Sequence, residues 1–178
     1  IVQSVCTPVT VNGVTYDLAK LRNMAKGRRI LYIYSGPSRE ADAVALGQVI
    51  DLRVDALDIL RDSSHDLADQ HQWEDLRKSA CSRFYHGFLM SSPCSTFSVA
   101  RSRPGGPPPL RGESVPDIYG LPNLTPKQKE QVRMGTLHAC RAADLATVGD
   151  THDIPWVAET PLIRRGHPST FKLPEWLK

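Results

Sequence analysis

Ile30-Leu31-Tyr32-Ile33-Tyr34 is a continuous apolar run of β-branched and aromatic residues that halts at Ser35-Gly36-Pro37. A strand that is apolar on both faces has to be covered on both, which is the situation of a central parallel strand in an α/β sheet. Such sheets bind ligands beyond the carboxyl ends of their strands, so whatever follows the run is placed where ligands arrive. A second run, Phe88-Leu89-Met90, ends in Ser91-Ser92-Pro93-Cys94, and a third, Ile154-Pro155-Trp156-Val157-Ala158, delivers Glu159. If these strands are parallel and adjacent, the Ser35-Gly36 turn, Cys94 and Glu159 converge on one edge of one sheet.

The intervening chain supplies the crossovers that a parallel sheet requires. Residues 40–47 are helical in composition, and Val49 to Asp55 reads as the next strand, closing on an acid about 20 residues after the first turn, where ribose hydroxyls are held in nucleotide-binding sheets. Asp58 follows closely, and Asp66 sits in a loop where it could bond an adenine amino group or cap a helix. A helix is expected from Asp69 to Ser79 with Trp73 and Leu76 on one face, then a strand from Tyr85 to Ser91. The clearest helix starts at Thr125-Pro126, a cap residue followed by proline at the first helical position. Its apolar stripe includes Val132, Leu137, Ala139, Cys140, Ala143 and Leu145, and Gly149 is expected to stop it. Ahead of all this, residues 1–29 read as a small extension: two β-rich pieces around Asn12-Gly13, a strong hairpin signal, and a short helix from Leu18 to Ala25 capped by Asp17 and ended by Gly27. Residues 30–178 form the main α/β domain.

Composition narrows the functional classes. With 178 residues, 40% hydrophobic and 23% charged, the chain suits one domain with a proper core. No run approaches the roughly 18 apolar residues of a membrane span, and Ile1 to Cys6 lacks a signal-peptide layout. The initial Ile suggests a processed product or an excised piece of a longer protein. Cys6, Cys81, Cys94 and Cys140 are widely spaced, which disfavours a zinc or dithiol motif and points to a reducing, intracellular compartment, the nucleus included. A net charge of +3 is mild. Arg101, Arg103 and Arg111 follow Cys94 closely, in a long loop from Ser95 to Arg111 that carries Pro104-Gly-Gly-Pro-Pro-Pro109 and reads as functional and able to move; Arg164 and Arg165 come late.

A cysteine is nucleophilic as its thiolate, and hydrolytic cysteines are usually paired with a histidine. No motif places a histidine beside Cys94, with His86 upstream on the same strand. Cysteine, glutamate and a nucleotide-like turn together point to attack on a heterocycle, the acid contacting a ring nitrogen. At these residues the chain resembles the S-adenosylmethionine-dependent cytosine carbon-5 DNA methyltransferases. Ile33-Tyr34-Ser35-Gly36 is similar to their first motif, Ser92-Pro93-Cys94-Ser95-Thr96-Phe97-Ser98 to their nucleophile motif, and Glu159-Thr160-Pro161 to their Glu-Asn-Val motif, in order and approximate spacing over about residues 30–165.

The resemblance implies a Rossmann-like methyltransferase fold, a mostly parallel sheet with helices on both faces. It implies that Cys94 adds to carbon 6 of a cytosine while Glu159 contacts ring nitrogen 3. Tyr34, Ser35, Gly36, Pro37, Asp55, Asp66 and Pro93 would hold S-adenosylmethionine, and Ser95, Phe97, Ser98, Arg101, Arg103, Arg164 and Arg165 the nucleic acid, DNA in preference to RNA. The chain departs from the family at Pro37-Ser38-Arg39, which replaces further glycines, and it has no counterpart of the family's Gln-x-Arg-x-Arg motif, target-recognition region or late asparagine motif. Target choice would then need a protein partner or a further domain. The alternative is a degenerate methyltransferase-like module that binds nucleic acid or a protein, taken from a larger polyprotein or mobile element.

Overall fold

The computed structural model describes residues 9–11, 13–161 and 163–177. Val9–Val11 (β1) and Val14–Tyr16 (β2) pair antiparallel on either side of Asn12-Gly13, with Val9 opposite Tyr16 and Gly13 at a φ of 78°. Asn12 itself lies outside the described residues. Helix α1 (Leu18–Ala25) begins where the Asp17 carboxylate accepts the Ala19 and Lys20 amides, as the sequence predicts. The helix is tied to the domain behind it: Ala25 is buried and the Arg22 Nε donates to the Val49 carbonyl at 2.8 Å.

The domain is mixed α/β. Strands β3 (Arg29–Ile33), β4 (Arg53–Leu57), β5 (Phe88–Met90) and β6 (Trp156–Ala158) form an all-parallel sheet in the order β4-β3-β5-β6, with the apolar run of β3 in its interior. The register sets Ile33 beside Leu57 and Met90, and Met90 beside Ala158. Strand ends are therefore flush, and Tyr34, Asp58, Ser91 and Glu159 leave the sheet along one edge.

Leu31, Ile33, Phe88 and Met90 share one face, each at most 1% exposed, in a core with Trp73 and Leu76 of α3 (Gln70–Cys81) and Ala142, Leu145, Ala146 and Val148 of α4 (Pro126–His152). On the opposite face, α2 (Ala43–Val49) approaches Val54 so closely that a Cβ on Gly47 would stand 2.8 Å from its Cγ2. Leu21 and Met24 of α1, with Ile30, Leu89 and Val157 of the sheet, line an apolar groove of about 320 Å³ on that side.

Several expected boundaries move. Val49 and Ile50 belong to α2 and its cap, so β4 starts only at Arg53, after Asp51 has turned the chain at a φ of 58°. Asp55 consequently lies mid-strand and not at its end. Helix α4 does not stop at Gly149 but continues to His152, ending on Asp153 in the left-handed conformation. Gly149 is there for closeness: a Cβ would meet the Trp156 ring at 2.6 Å and the Ile154 carbonyl oxygen at 2.9 Å, so its absence lets the chain turn back from α4 into β6. At the other end of α4, Thr125 and Gln128 form a reciprocal capping box with Pro126 at the first position. Among the described residues no helix is long and apolar enough to cross a membrane.

Candidate functional site

Cys94 and Glu159 line one cleft of about 220 Å³ at the carboxyl edge of β5 and β6, together with Ser91, Ser92, Pro93, Thr160 and Pro161. The parallel pairing makes this meeting. Met90 and Ala158 are register partners, and the Glu159 amide donates to the Met90 carbonyl at 2.7 Å, fixing the acid beside the chain that leads to the cysteine. Both side chains are exposed. The Glu159 carboxylate accepts a hydrogen bond from Ser91 Oγ at Oε2, 2.9 Å away. Ser91 Oγ lies 3.1 Å from the Tyr32 hydroxyl.

After Cys94 the loop turns inward. Thr96 and Phe97 are 3% and 0% exposed, and the Phe97 ring carries the Arg111 guanidinium 3.9 Å above its centre. Arg111 is itself buried and reaches Thr96 Oγ1, Thr136 Oγ1 and the carbonyls of Ile118 and Val132. Burial pushes its pKa down to about 10, still well above neutral pH. Gly135 of α4 makes this seat possible, since a Cβ there would lie 2.6 Å from Thr96 Oγ1.

Two expectations for this segment are thereby corrected. Phe97 does not face a substrate, because it is core, packed with Ile118, Ala139 and Leu173. Nor is the segment from Ser95 to Arg111 a free lid. Arg101 donates to the carbonyls of Ser95 and Pro108, Ser98 caps a short 3-10 helix at Val99–Ser102, and Leu110 and Arg111 are buried. Arg101 and Arg111 therefore spend their guanidinium groups on the protein's own backbone and hydroxyls. Ser95, Arg103, Arg164 and Arg165 are exposed and remain available to a ligand.

The turn after β3 is occupied from within. Gly36, at a φ of 69°, donates its N–H to Asp58 Oδ2 at 2.9 Å and offers its carbonyl to Arg61 Nε at 2.9 Å. Arg61 continues to Ser38 Oγ and to Asp42 Oδ2, and this bridge, with the α2 amides, holds the Asp42 carboxyl down at about 2. Asp58, the acid that does end β4, also accepts the Leu60 amide. Asp66 accepts the Ala68 amide, and Asp55 pairs with Arg29 and Arg53 two residues before the strand's end. Ser35 is half-buried and Pro37 exposed. Gly36 and Asp55 are thus engaged by residues outside the expected set, Gly36 by Asp58 and Arg61 and Asp55 by Arg29 and Arg53, and the closed Gly36 turn does not form a cradle for S-adenosylmethionine in this arrangement.

Tyr34 is buried and has a positive φ of 59°, an uncommon conformation for a bulky residue. Its hydroxyl lies 3.1 Å from His138 Nδ1, and burial raises its pKa far above the ordinary range for a phenol. Burial, with Arg141 nearby, lowers the pKa of His138, which favours the neutral imidazole. His138 lines a second cleft, of about 340 Å³, with Pro93, Ser95 and residues of α4. His86 stands at the opposite edge of the sheet, where its Nδ1 accepts the Arg29 amide.

Sequence reasoning missed Tyr32, Ser91, Arg61 and His138. A Ser-Ser pair directly before Pro-Cys was a signal for Ser91; the other three depend on which face of an element they occupy. Among the described residues no group of three or more His, Cys, Asp or Glu could hold a metal ion. Compared with known proteins, the chain matches no family model, no curated protein and no solved structure.

Proposed function

We propose that the chain is a methyltransferase-like α/β domain, Rossmann-like in plan, whose Cys94 and Glu159 act on cytosine in nucleic acid through a covalent adduct. The observation that carries this reading is the shared cleft of about 220 Å³: a nucleophile and a carboxyl group line it together, each following one of two adjacent parallel strands. Cys94 thiolate adds to carbon 6 of the ring. The electron pair displaced from the 5,6 double bond makes carbon 5 nucleophilic and spreads charge to nitrogen 3, which takes a proton from water, donates the resulting N–H to the Glu159 carboxylate, and gives the proton back when Cys94 leaves. Carbon 5 takes a proton from water; loss of a proton from the same carbon re-forms the double bond and expels Cys94. In duplex DNA the base would first have to leave the stack, and the exposed Arg103, Arg164 and Arg165 would neutralise phosphates without reading sequence.

Because the turn around Gly36 does not fit S-adenosylmethionine as it stands, no methyl-transfer step is assigned. That same closed turn favours a second reading, a binding module that keeps the nucleophile loop without the donor site. One experiment separates them. An oligonucleotide tritiated at carbon 5 of cytosine should release tritium to water with the parent protein and not with Cys94→Ser, while Glu159→Gln slows release by about a hundredfold. Release unchanged in Cys94→Ser refutes the adduct; no release from single- or double-stranded DNA or RNA favours the binding module. A thermal-shift titration with S-adenosylmethionine to millimolar concentration reports whether the turn opens to a donor.

A further inference from the structure

We propose that Ser91 and Tyr32 are positioning residues for Glu159, forming a one-directional hydrogen-bond chain that holds one carboxylate oxygen and leaves the other for the ligand. The inference rests on the reading of Cys94 and Glu159 above and extends it to the side of the site that no sequence motif marks. An ionised carboxylate accepts hydrogen bonds and cannot donate them, so the bond between Ser91 Oγ and Glu159 Oε2 fixes Ser91 as donor. With its single proton spent, Ser91 is an acceptor towards Tyr32, and the Tyr32 O–H supplies that bond at 3.1 Å. All donors therefore point towards Glu159.

The backbone makes the chain short. Tyr32 is paired with Leu89 across β3 and β5, on the sheet face opposite the main core. Ser91 lies two residues beyond Leu89, on the same side of the pleat, and its amide donates to the Ile33 carbonyl. Tyr32 and Ser91 are half-buried, whereas Glu159 is exposed. An exposed glutamate would otherwise sample several rotamers, and immobilising it in advance reduces the ordering required when a ring enters the cleft. Oε1, the oxygen that Ser91 does not engage, is an acceptor. It suits a pyrimidine that presents an amino group at position 4 and repels one that presents a carbonyl there, so the chain contributes to discrimination of cytosine from uracil.

The test uses the whole chain with oligonucleotides tritiated at carbon 5 of cytosine or of uracil. Ser91→Ala should lower the maximal exchange rate on cytosine by about tenfold and Tyr32→Phe by about threefold, with little change in the oligonucleotide concentration giving half-maximal rate. Ser91→Thr, which keeps the hydroxyl, should restore the rate, and Ser91→Ala should narrow the preference for cytosine over uracil. Independently of activity, the Glu159 side-chain carboxyl ¹³C resonance should move in Ser91→Ala and stay in place in Ser102→Ala, a change in the loop. If that resonance does not move, or Ser91→Ala exchanges cytosine at the parental rate, the positioning role is overturned. If the parent exchanges nothing yet the resonance moves in Ser91→Ala alone, the chain of bonds stands and the assigned reaction is what fails.

Discussion

Arg111 shows how far a residue's role can depart from its charge. In sequence it is one of three arginines after the nucleophile, available to phosphate; in the fold it is 2% exposed and holds four oxygen acceptors around one planar group. A lysine ammonium is compact and cannot span hydroxyls and carbonyls contributed by three separate segments. Arg111→Lys is expected to destabilise the protein by about 2 kcal/mol in urea unfolding, with the denaturant slope unchanged. An unchanged midpoint would show that the hydroxyls and carbonyls are equally well served by water. Cys94, three residues before Phe97, is tied to this buried strut by its own carbonyl, which accepts the Phe97 amide at 2.9 Å.

At the scale of elements, α4 does more than cover the sheet. Its two glycines, Gly135 and Gly149, admit the nucleophile loop at one end and the turn into β6 at the other. These glycines look like weak points in a helix, since each costs about 1 kcal/mol relative to alanine by intrinsic propensity. In this fold the steric term opposes that gain, because the nearest atoms at Gly149 are a tryptophan ring and a backbone carbonyl, neither of which yields easily. Gly149→Ala is therefore expected to be destabilising, by about 1–2 kcal/mol net of propensity, and to perturb Trp156 fluorescence. A more stable variant would mean that Trp156 repacks freely. The nucleophile loop illustrates the same principle from the other side: glycines and prolines suggested mobility, but the Arg101 bonds to Ser95 and Pro108 and the burial of Leu110 make the segment a folded unit.

At the scale of the molecule, the link between Tyr34 and His138 joins the end of the central strand to the helix layer, and the burial of His138 there, with Arg141 nearby, makes stability depend on pH. The folded-state pKa of His138 lies below its ordinary 6.5, so the native state binds fewer protons than the unfolded chain in this range. Its contribution is present above about pH 6.5 and is lost as pH falls through the lowered folded value. His138→Gln, which can still hydrogen-bond the Tyr34 hydroxyl, should flatten the fall in thermal midpoint between pH 7 and pH 5; an equally steep fall would assign the acid sensitivity to other groups.

Much of the architecture was legible in the residues because it follows from local rules. The apolar run at 30–34, the Asn-Gly turn, the Asp17 and Thr125 caps and the apolar stripe of α4 each declare themselves within a few positions, and the flush carboxyl edge follows once the strands are parallel. The elements that shifted are those where a distant neighbour decided: α2 reached Val49 and displaced β4, and α4 ran through Gly149 to meet Trp156. In the site, the meeting of Cys94 with Glu159 could be anticipated from strand order. The sealing of Gly36 by Asp58 and Arg61, the burial of Phe97 and Arg111, and the line from Tyr32 through Ser91 to Glu159 could not, because each joins residues between 14 and 68 positions apart. Sequence by itself determined that Ser35-Gly36, Pro93-Cys94 and Glu159 follow the ends of strands, since periodicity and turn residues act over short range, although it put Asp55 where Asp58 stands. Only the tertiary structure decided which of those groups face a cleft and which are consumed by the protein, because that depends on competition for hydrogen-bond partners that meet only in the folded chain.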